Sequence, residues 1–193
     1  MNTKVLIGAS TVLLLFFACK QKAPANKEDF FPVVPFLKSQ VAQMDTSLAS
    51  ITRYVFVDST RTDTFYIPRE QFRAAARDFL AIPDISKKEF RERFKEDKMF
   101  DETLNSVLLT YTPIDPASEQ VQREEVLIKP NPSGDKITNI IINLSVDSKD
   151  SSVQKRMLWQ VDNSFQVVTT RRLAGQPETT TTEKVIWGEN EEE

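Results

Sequence analysis

Apolar residues in the N-terminal half recur every three or four residues, which is the spacing of one side of a helix. This spacing predicts a first helix through Leu37, Val41, Met44 and Leu48. It predicts a second helix, opened by Pro68, through Phe72, Ala75, Ala76, Phe79 and Leu80. A third helix is predicted to begin near Lys87, because Ser86 and Glu89 have the spacing of a capping box.

Segments rich in β-branched and aromatic residues predict strands. Residues 51–58 and 64–67 flank a polar turn and predict a hairpin. From Ser106 onward, six β-rich segments separated by turn residues predict strands at 107–112, 121–129, 137–146, 153–161, 164–173 and 179–187. Because the links between them are short, the sheet should be an antiparallel meander.

Together these elements predict an α+β protein of one domain, with N-terminal helices packed on a C-terminal antiparallel β-meander. Ile140, Ile142 and Leu144 alternate with more polar positions, so the sheet should have one apolar face. We expect the helices to cover that face, since an antiparallel sheet can leave its other face in water.

The N-terminus has the features of a secretory signal. An apolar run from 5 to 18 follows Lys4. It ends Leu-Phe-Phe-Ala-Cys, and these residues, 15–19, resemble the lipobox of bacterial lipoproteins of the Bacteroidetes type, although Phe16 replaces the commoner leucine. The resemblance implies cleavage before Cys19 and attachment of acyl chains such as palmitate to that cysteine. The alternative is an ordinary signal peptide with a chance cysteine.

These features divide the chain into four parts. Residues 1–18 are the predicted signal peptide, 19–29 a lipidated tether, 30–188 the folded domain and 189–193 an acidic tail. Lys20 rather than aspartate follows the cysteine, and by resemblance this implies the outer membrane. In lipoproteins of the Bacteroidetes type, acidic residues after the cysteine resemble a surface-export signal, whereas this chain has Lys20-Gln21-Lys22. The resemblance therefore implies an orientation toward the periplasm, with the membrane as a partner through the lipid anchor.

Composition excludes several kinds of chemistry. The 193 residues include no histidine and one cysteine, which excludes Ser-His-Asp catalysis, histidine-bound metals and an intramolecular disulfide. With 25 basic and 28 acidic side chains, the net charge of -3 argues against nucleic acid as a partner. The only glycines after the predicted signal peptide are Gly134, Gly175 and Gly188, so no phosphate-binding loop, and no cofactor, is expected.

Carboxylate pairs give no specific signal. Glu124 and Glu125 are adjacent on a predicted strand, so their side chains should point to opposite faces. Asp58 and Asp63 flank the first hairpin turn, where aspartates usually serve the turn itself. Asp147 lies in a loop that lacks the spacing of a calcium site. We expect neither a catalytic residue nor a metal ligand among them.

One group of basic and aromatic residues lies on neighbouring predicted strands. It predicts a binding face formed by Arg156, Arg172, Lys155, Arg171 and Trp159. If the last strands pair as hairpins, Arg156 and Arg172 share a face with Leu158 and Val168. The competing interpretation is that the arginine stems cover exposed sheet while the tryptophans fill the core.

Three functions remain open. The first is an envelope lipoprotein with a non-enzymatic binding or accessory role toward a protein or glycan. The second is a carrier that encloses an apolar ligand or lipid within a curved sheet. The third is a hydrolase that uses two carboxylates in a cleft.

Overall fold

The computed structural model describes residues 29–57 and 60–188. The predicted signal peptide, the tether except Asp29, and the acidic tail lie outside the described residues. The helices are α1 (Val33–Met44), α2 (Arg69–Ala75), α3 (Arg77–Leu80), α4 (Lys88–Arg91) and a 3₁₀ turn (Pro116–Ser118). The strands are β1 (Thr52–Phe56), β2 (Thr62–Tyr66), β3 (Phe94–Asp101), β4 (Ser106–Pro113), β5 (Val121–Lys129), β6 (Lys136–Asp147), β7 (Ser151–Gln160), β8 (Ser164–Leu173) and β9 (Thr179–Ile186).

All the strands belong to one antiparallel sheet. Its order is β2-β1-β9-β8-β7-β6-β5-β4-β3. Strands β3 to β9 follow one another as a meander, and the β1–β2 hairpin joins this meander beside β9. The predicted hairpin and the six predicted C-terminal strands are confirmed by β1, β2 and β4–β9.

The predicted α+β arrangement is wrong. The fold is mostly the nine-stranded antiparallel sheet, and only 19% of the described structure is helical, in short segments. The N-terminal half contributes three strands to the sheet instead of forming a helical layer. The α1 helix ends at Met44, which leaves Leu48 93% exposed, and the predicted second helix is divided at Ala76 into α2 and α3.

The predicted third helix is mostly a strand. Only Lys88–Arg91 is helical, and Phe94–Asp101 forms β3 at the edge of the sheet. Lys87 precedes α4 without a side-chain cap, because the Ser86 hydroxyl donates to Asp84 Oδ1 at 2.6 Å instead of capping the helix. An edge strand can expose charged side chains, so the charge-rich sequence that suggested a solvated helix also suits β3.

Alternation along the strands gives the sheet a buried face and an outer face. The buried face carries fully buried residues of β6, β7 and β8, namely Ile140, Ile142, Met157, Trp159 and Phe165. Phe72 and Phe79 contact this face, with the Phe79 ring 5.1 Å from Trp159 and 5.3 Å from Phe165. The outer face carries the half-buried Ile141, Leu158 and Val168 and the exposed Arg156. None of the described helices is long and apolar enough to span a lipid bilayer.

Candidate functional site

A cleft of about 560 Å³ opens beside α2 and α3 on the buried-face side of the sheet. A volume of this size is typical of ligand-binding sites. We call it the basic cleft, and its charged lining residues are Arg53, Arg77, Asp78, Lys155, Arg171 and Glu183. They come from β1, β7, β8 and β9 and from α3.

Strand register brings the sheet residues of the cleft together. Lys155 lies opposite Thr169 on β8, and Thr169 lies opposite Thr181 on β9. Glu183 lies two residues beyond Thr181, and Arg171 two residues beyond Thr169, so all point to the same face. The cleft therefore continues the buried face beyond the aromatic side chains of Trp159 and Phe165.

The lining of the cleft contains two ion pairs. Arg53 Nη2 lies 2.8 Å from Glu183 Oε2 and joins β1 to β9. Lys155 Nζ lies 2.8 Å from Asp78 Oδ1 and joins β7 to α3. Both acidic residues of the cleft are thus engaged by basic partners.

Two further arginines of the cleft have no such partner. Arg77 and Arg171 are exposed, and within residues 29–57 and 60–188 neither side chain makes an ion pair or a hydrogen bond. The lining therefore has four basic and two acidic side chains, an excess of positive charge on a chain whose net charge is -3. An anion could approach both guanidinium groups without displacing an existing partner.

The five residues of the predicted binding face are divided between the two faces of the sheet. Arg156 and Arg172 share the outer face with Leu158 and Val168, as the register of β7 and β8 requires. Lys155 and Arg171 lie on the opposite side and line the basic cleft. Trp159 is fully buried in the core, stacked on Phe165 with 5.4 Å between ring centroids.

The outer face has a smaller hollow around Arg156. Its volume is about 230 Å³, and its lining includes Ile141, Leu158 and Val168. Arg172 does not line this hollow; its Nη2 lies 2.8 Å from Glu178 Oε2. The hollow on the outer face therefore contains one of the two predicted arginines, Arg156, among mostly apolar side chains.

Glu124 is the most unusual carboxyl group of the described chain. It points to the buried face between Tyr111 on β4 and Ile142 on β6 and is fully buried, and neither of its oxygens has a hydrogen-bond partner among the described residues. Burial, with a smaller contribution from Asp84, raises the pKa of Glu124 to about 8. Glu125 points to the outer face, where its Oε1 lies 2.6 Å from Arg123 Nη2. This confirms the prediction that the two glutamates point to opposite faces of the sheet.

The other described carboxylates named from the sequence lie near turns. Asp63 is the second residue of β2, and Asp147, which was predicted in a loop, is the last residue of β6. Asp63 pairs with Arg61 at 3.1 Å, and Asp147 accepts a hydrogen bond from Ser145. Asp58 lies outside the described residues. No group of His, Cys, Asp or Glu side chains suited to a metal ion occurs in the part of the chain that the structure describes.

Sequence reasoning missed most of the basic cleft. A period of two along β8 and β9 would have placed Arg171 and Glu183 on one face, so part of the cleft was accessible from the pattern. Arg53 and Arg77 could not be found this way. Their positions depend on the pairing of β1 with β9 and on the placement of α3, which are both long-range features.

Comparisons of this chain with known protein families, with curated proteins and with solved structures found no match.

Proposed function

We propose that this protein is a lipid-anchored bacterial envelope protein that binds a partner without catalysing a reaction, and that the basic cleft holds an anionic group of that partner. The observation that carries the proposal is the presence in one cleft of two guanidinium groups, Arg77 and Arg171, that have no partner among the described residues. The partner is an envelope protein or a glycan.

The anchor in this proposal is Cys19, which lies outside the described residues. Its support is the lipobox-like sequence ending at that cysteine. From Cys19 to Asp29 the chain can span at most about 35 Å, so the domain would stay close to the outer membrane on its periplasmic side.

The ionic contacts of the cleft favour binding over catalysis. Glu183 and Asp78, the acidic side chains of the lining, are held by Arg53 and Lys155. A hydrolase of the kind considered from the sequence needs two carboxylates able to exchange protons with a substrate. A carrier of apolar ligands is also less favoured, since an acyl chain in this cleft would remove charged side chains from water without compensation.

The test is titration calorimetry of the detergent-solubilised full-length protein with tetraglutamate and with tetragalacturonate at low salt. Arg77→Gln combined with Arg171→Gln should weaken binding of the preferred anion by about tenfold or more, because two charge-assisted contacts are lost. The matched control is Arg156→Gln combined with Arg172→Gln, which removes the same charge from the outer face.

The control variant should bind as the wild type does. If the outer-face variant loses binding and the cleft variant keeps it, the binding site has been assigned to the wrong face. If neither anion binds the wild type, the proposed function is wrong.

A further inference from the structure

The basic cleft contains neutral hydrogen-bonding groups beside its charges. Gln71 of α2, Thr169 of β8 and Thr181 of β9 line it. The two threonines are register partners, so their side chains lie side by side on the same face. In the described ranges, none of the three side chains makes a hydrogen bond. Amides and hydroxyls both donate and accept, as recognition of sugar hydroxyl groups requires.

An aromatic residue lies beside the cleft on β2, the strand that pairs with the cleft-lining strand β1. Phe65 on β2 is 48% exposed and is the register partner of Arg53, which lines the cleft. Residues directly opposite in an antiparallel pair have their Cβ atoms about 5 Å apart and point to the same face. The Phe65 ring is therefore an exposed flat apolar surface beside the cleft.

We propose that the anionic partner is an acidic glycan, meaning a saccharide with carboxylate or phosphate groups. This inference rests on the proposed function of the cleft and specifies its ligand. The apolar C–H face of one sugar ring packs on Phe65, the neutral side chains bind its hydroxyls, and Arg77 and Arg171 bind its acidic groups.

Other anionic ligands would use only some of the aromatic, neutral and basic groups of the cleft. An acidic peptide would engage the guanidinium groups but has no need of a flat ring beside them. An oligonucleotide could stack on Phe65, but a chain of net charge -3 lacks the general cationic field that draws phosphate backbones. Hydroxyl-binding groups, an aromatic surface and positive charge in one place together favour the glycan.

The experiment compares four probes on the detergent-solubilised full-length protein by calorimetry. Tetragalacturonate and tetraglutamate both carry acidic side groups, a pentathymidylate carries phosphates with stacking bases, and maltotetraose is a neutral sugar. Tetragalacturonate should bind about tenfold more tightly than each of the other three, because it alone provides both hydroxyls and carboxylates.

Replacement of Phe65 distinguishes a glycan ligand from a peptide ligand. Phe65→Leu should weaken tetragalacturonate binding by roughly fivefold, since a flat contact is lost, and should leave tetraglutamate binding unchanged. Tyr66→Leu is the matched control. Tyr66 is the next residue of the same strand, points to the opposite face and is 82% exposed, so its replacement should change neither affinity.

Equal or tighter binding of tetraglutamate or pentathymidylate would overturn the glycan assignment and leave the anion-binding cleft standing. The same conclusion follows if Phe65→Leu changes nothing. If maltotetraose binds as well as the acidic sugar, the guanidinium groups add no affinity, and both the acidic-glycan assignment and the anion-binding cleft are wrong. If no anion binds, the glycan assignment and the proposed function both fail.

Discussion

Glu124 makes the stability of this protein depend on pH. Its carboxyl group is buried without a partner, and its pKa of about 8 lies above the ordinary value of 4.5. The folded state thus holds a proton that the unfolded chain releases. The stabilisation is complete below about pH 4.5 and is lost progressively as the pH rises toward 8. Asp84 contributes because its negative charge opposes a second one nearby.

Replacement of Glu124 by glutamine should remove this dependence. We expect the difference in unfolding free energy, variant minus wild type, to rise by several kcal/mol between pH 4.5 and 8, about 1.4 kcal/mol for each pH unit of that window. Urea denaturation at a series of pH values measures it. Glu125→Gln is the control, since that side chain is on the other face and ion-paired. Parallel pH profiles for Glu124→Gln and the wild type would contradict the prediction.

Single-residue chemistry was only partly predictable from the sequence. The period of two correctly assigned Glu124 and Glu125 to opposite faces. The pattern could not show which face would be buried at that point, because Tyr111, Ile142 and Asp84, which face or lie near Glu124, are distant from it in sequence. The burial that raises the pKa of Glu124 therefore depends on tertiary contacts, which the local sequence does not show.

At the scale of elements, the predicted capping box before α4 gives a direct test of the observed structure. Because Ser86 bonds to Asp84 and no side chain caps α4, Glu89→Ala should change the unfolding free energy by less than about 0.5 kcal/mol. Ser86→Ala should cost about 1 kcal/mol, since it loses the hydrogen bond to Asp84. Thermal unfolding of both variants measures this. A cost of about 1 kcal/mol for Glu89→Ala would indicate that the capping box forms.

Elements with strong alternation were predictable, and those without it were not. Apolar residues occupy every second position of β6 from Ile140 to Val146, and Val153, Met157 and Trp159 share one face of β7. Both strands were predicted close to their observed limits. β3 has the sequence Phe-Lys-Glu-Asp-Lys-Met-Phe-Asp, in which only Phe94 is buried. An exposed edge strand needs no apolar period, so its charged residues gave no strand signal and favoured a helix.

For the whole molecule, we expect membrane attachment to depend on a single thiol. Cys19→Ser should move the protein from the membrane fraction to the soluble fraction, because acyl chains on Cys19 would supply the whole anchoring energy at about 0.8 kcal/mol for each buried CH₂. Ultracentrifugation of lysed cells followed by immunoblotting measures the shift. The control is the cleft variant Arg77→Gln, which keeps Cys19 and should sediment with the membranes. Unchanged sedimentation of Cys19→Ser would contradict lipidation.

The overall topology was predictable except at two strand pairs, β3–β4 and β1–β9. Short links led correctly to a meander from β4 to β9. No local signal connected the first hairpin to the last strand, because β1 and β9 are separated by more than a hundred residues along the chain. This pair matters for function, since Arg53 on β1 and Glu183 on β9 meet in the basic cleft.

That pairing also sets the order in which the molecule can assemble. A growing chain presents the β1–β2 hairpin early, but an isolated hairpin is only marginally stable in water. The meander can build outward by neighbouring hairpins, which close quickly because their ends are near in sequence. The β1–β2 hairpin must wait until residues 179–186 have been made. A prematurely terminated chain that lacks β9 would therefore have no β1–β9 pair and an incomplete cleft. Full affinity for the ligand would thus require synthesis of the chain through β9.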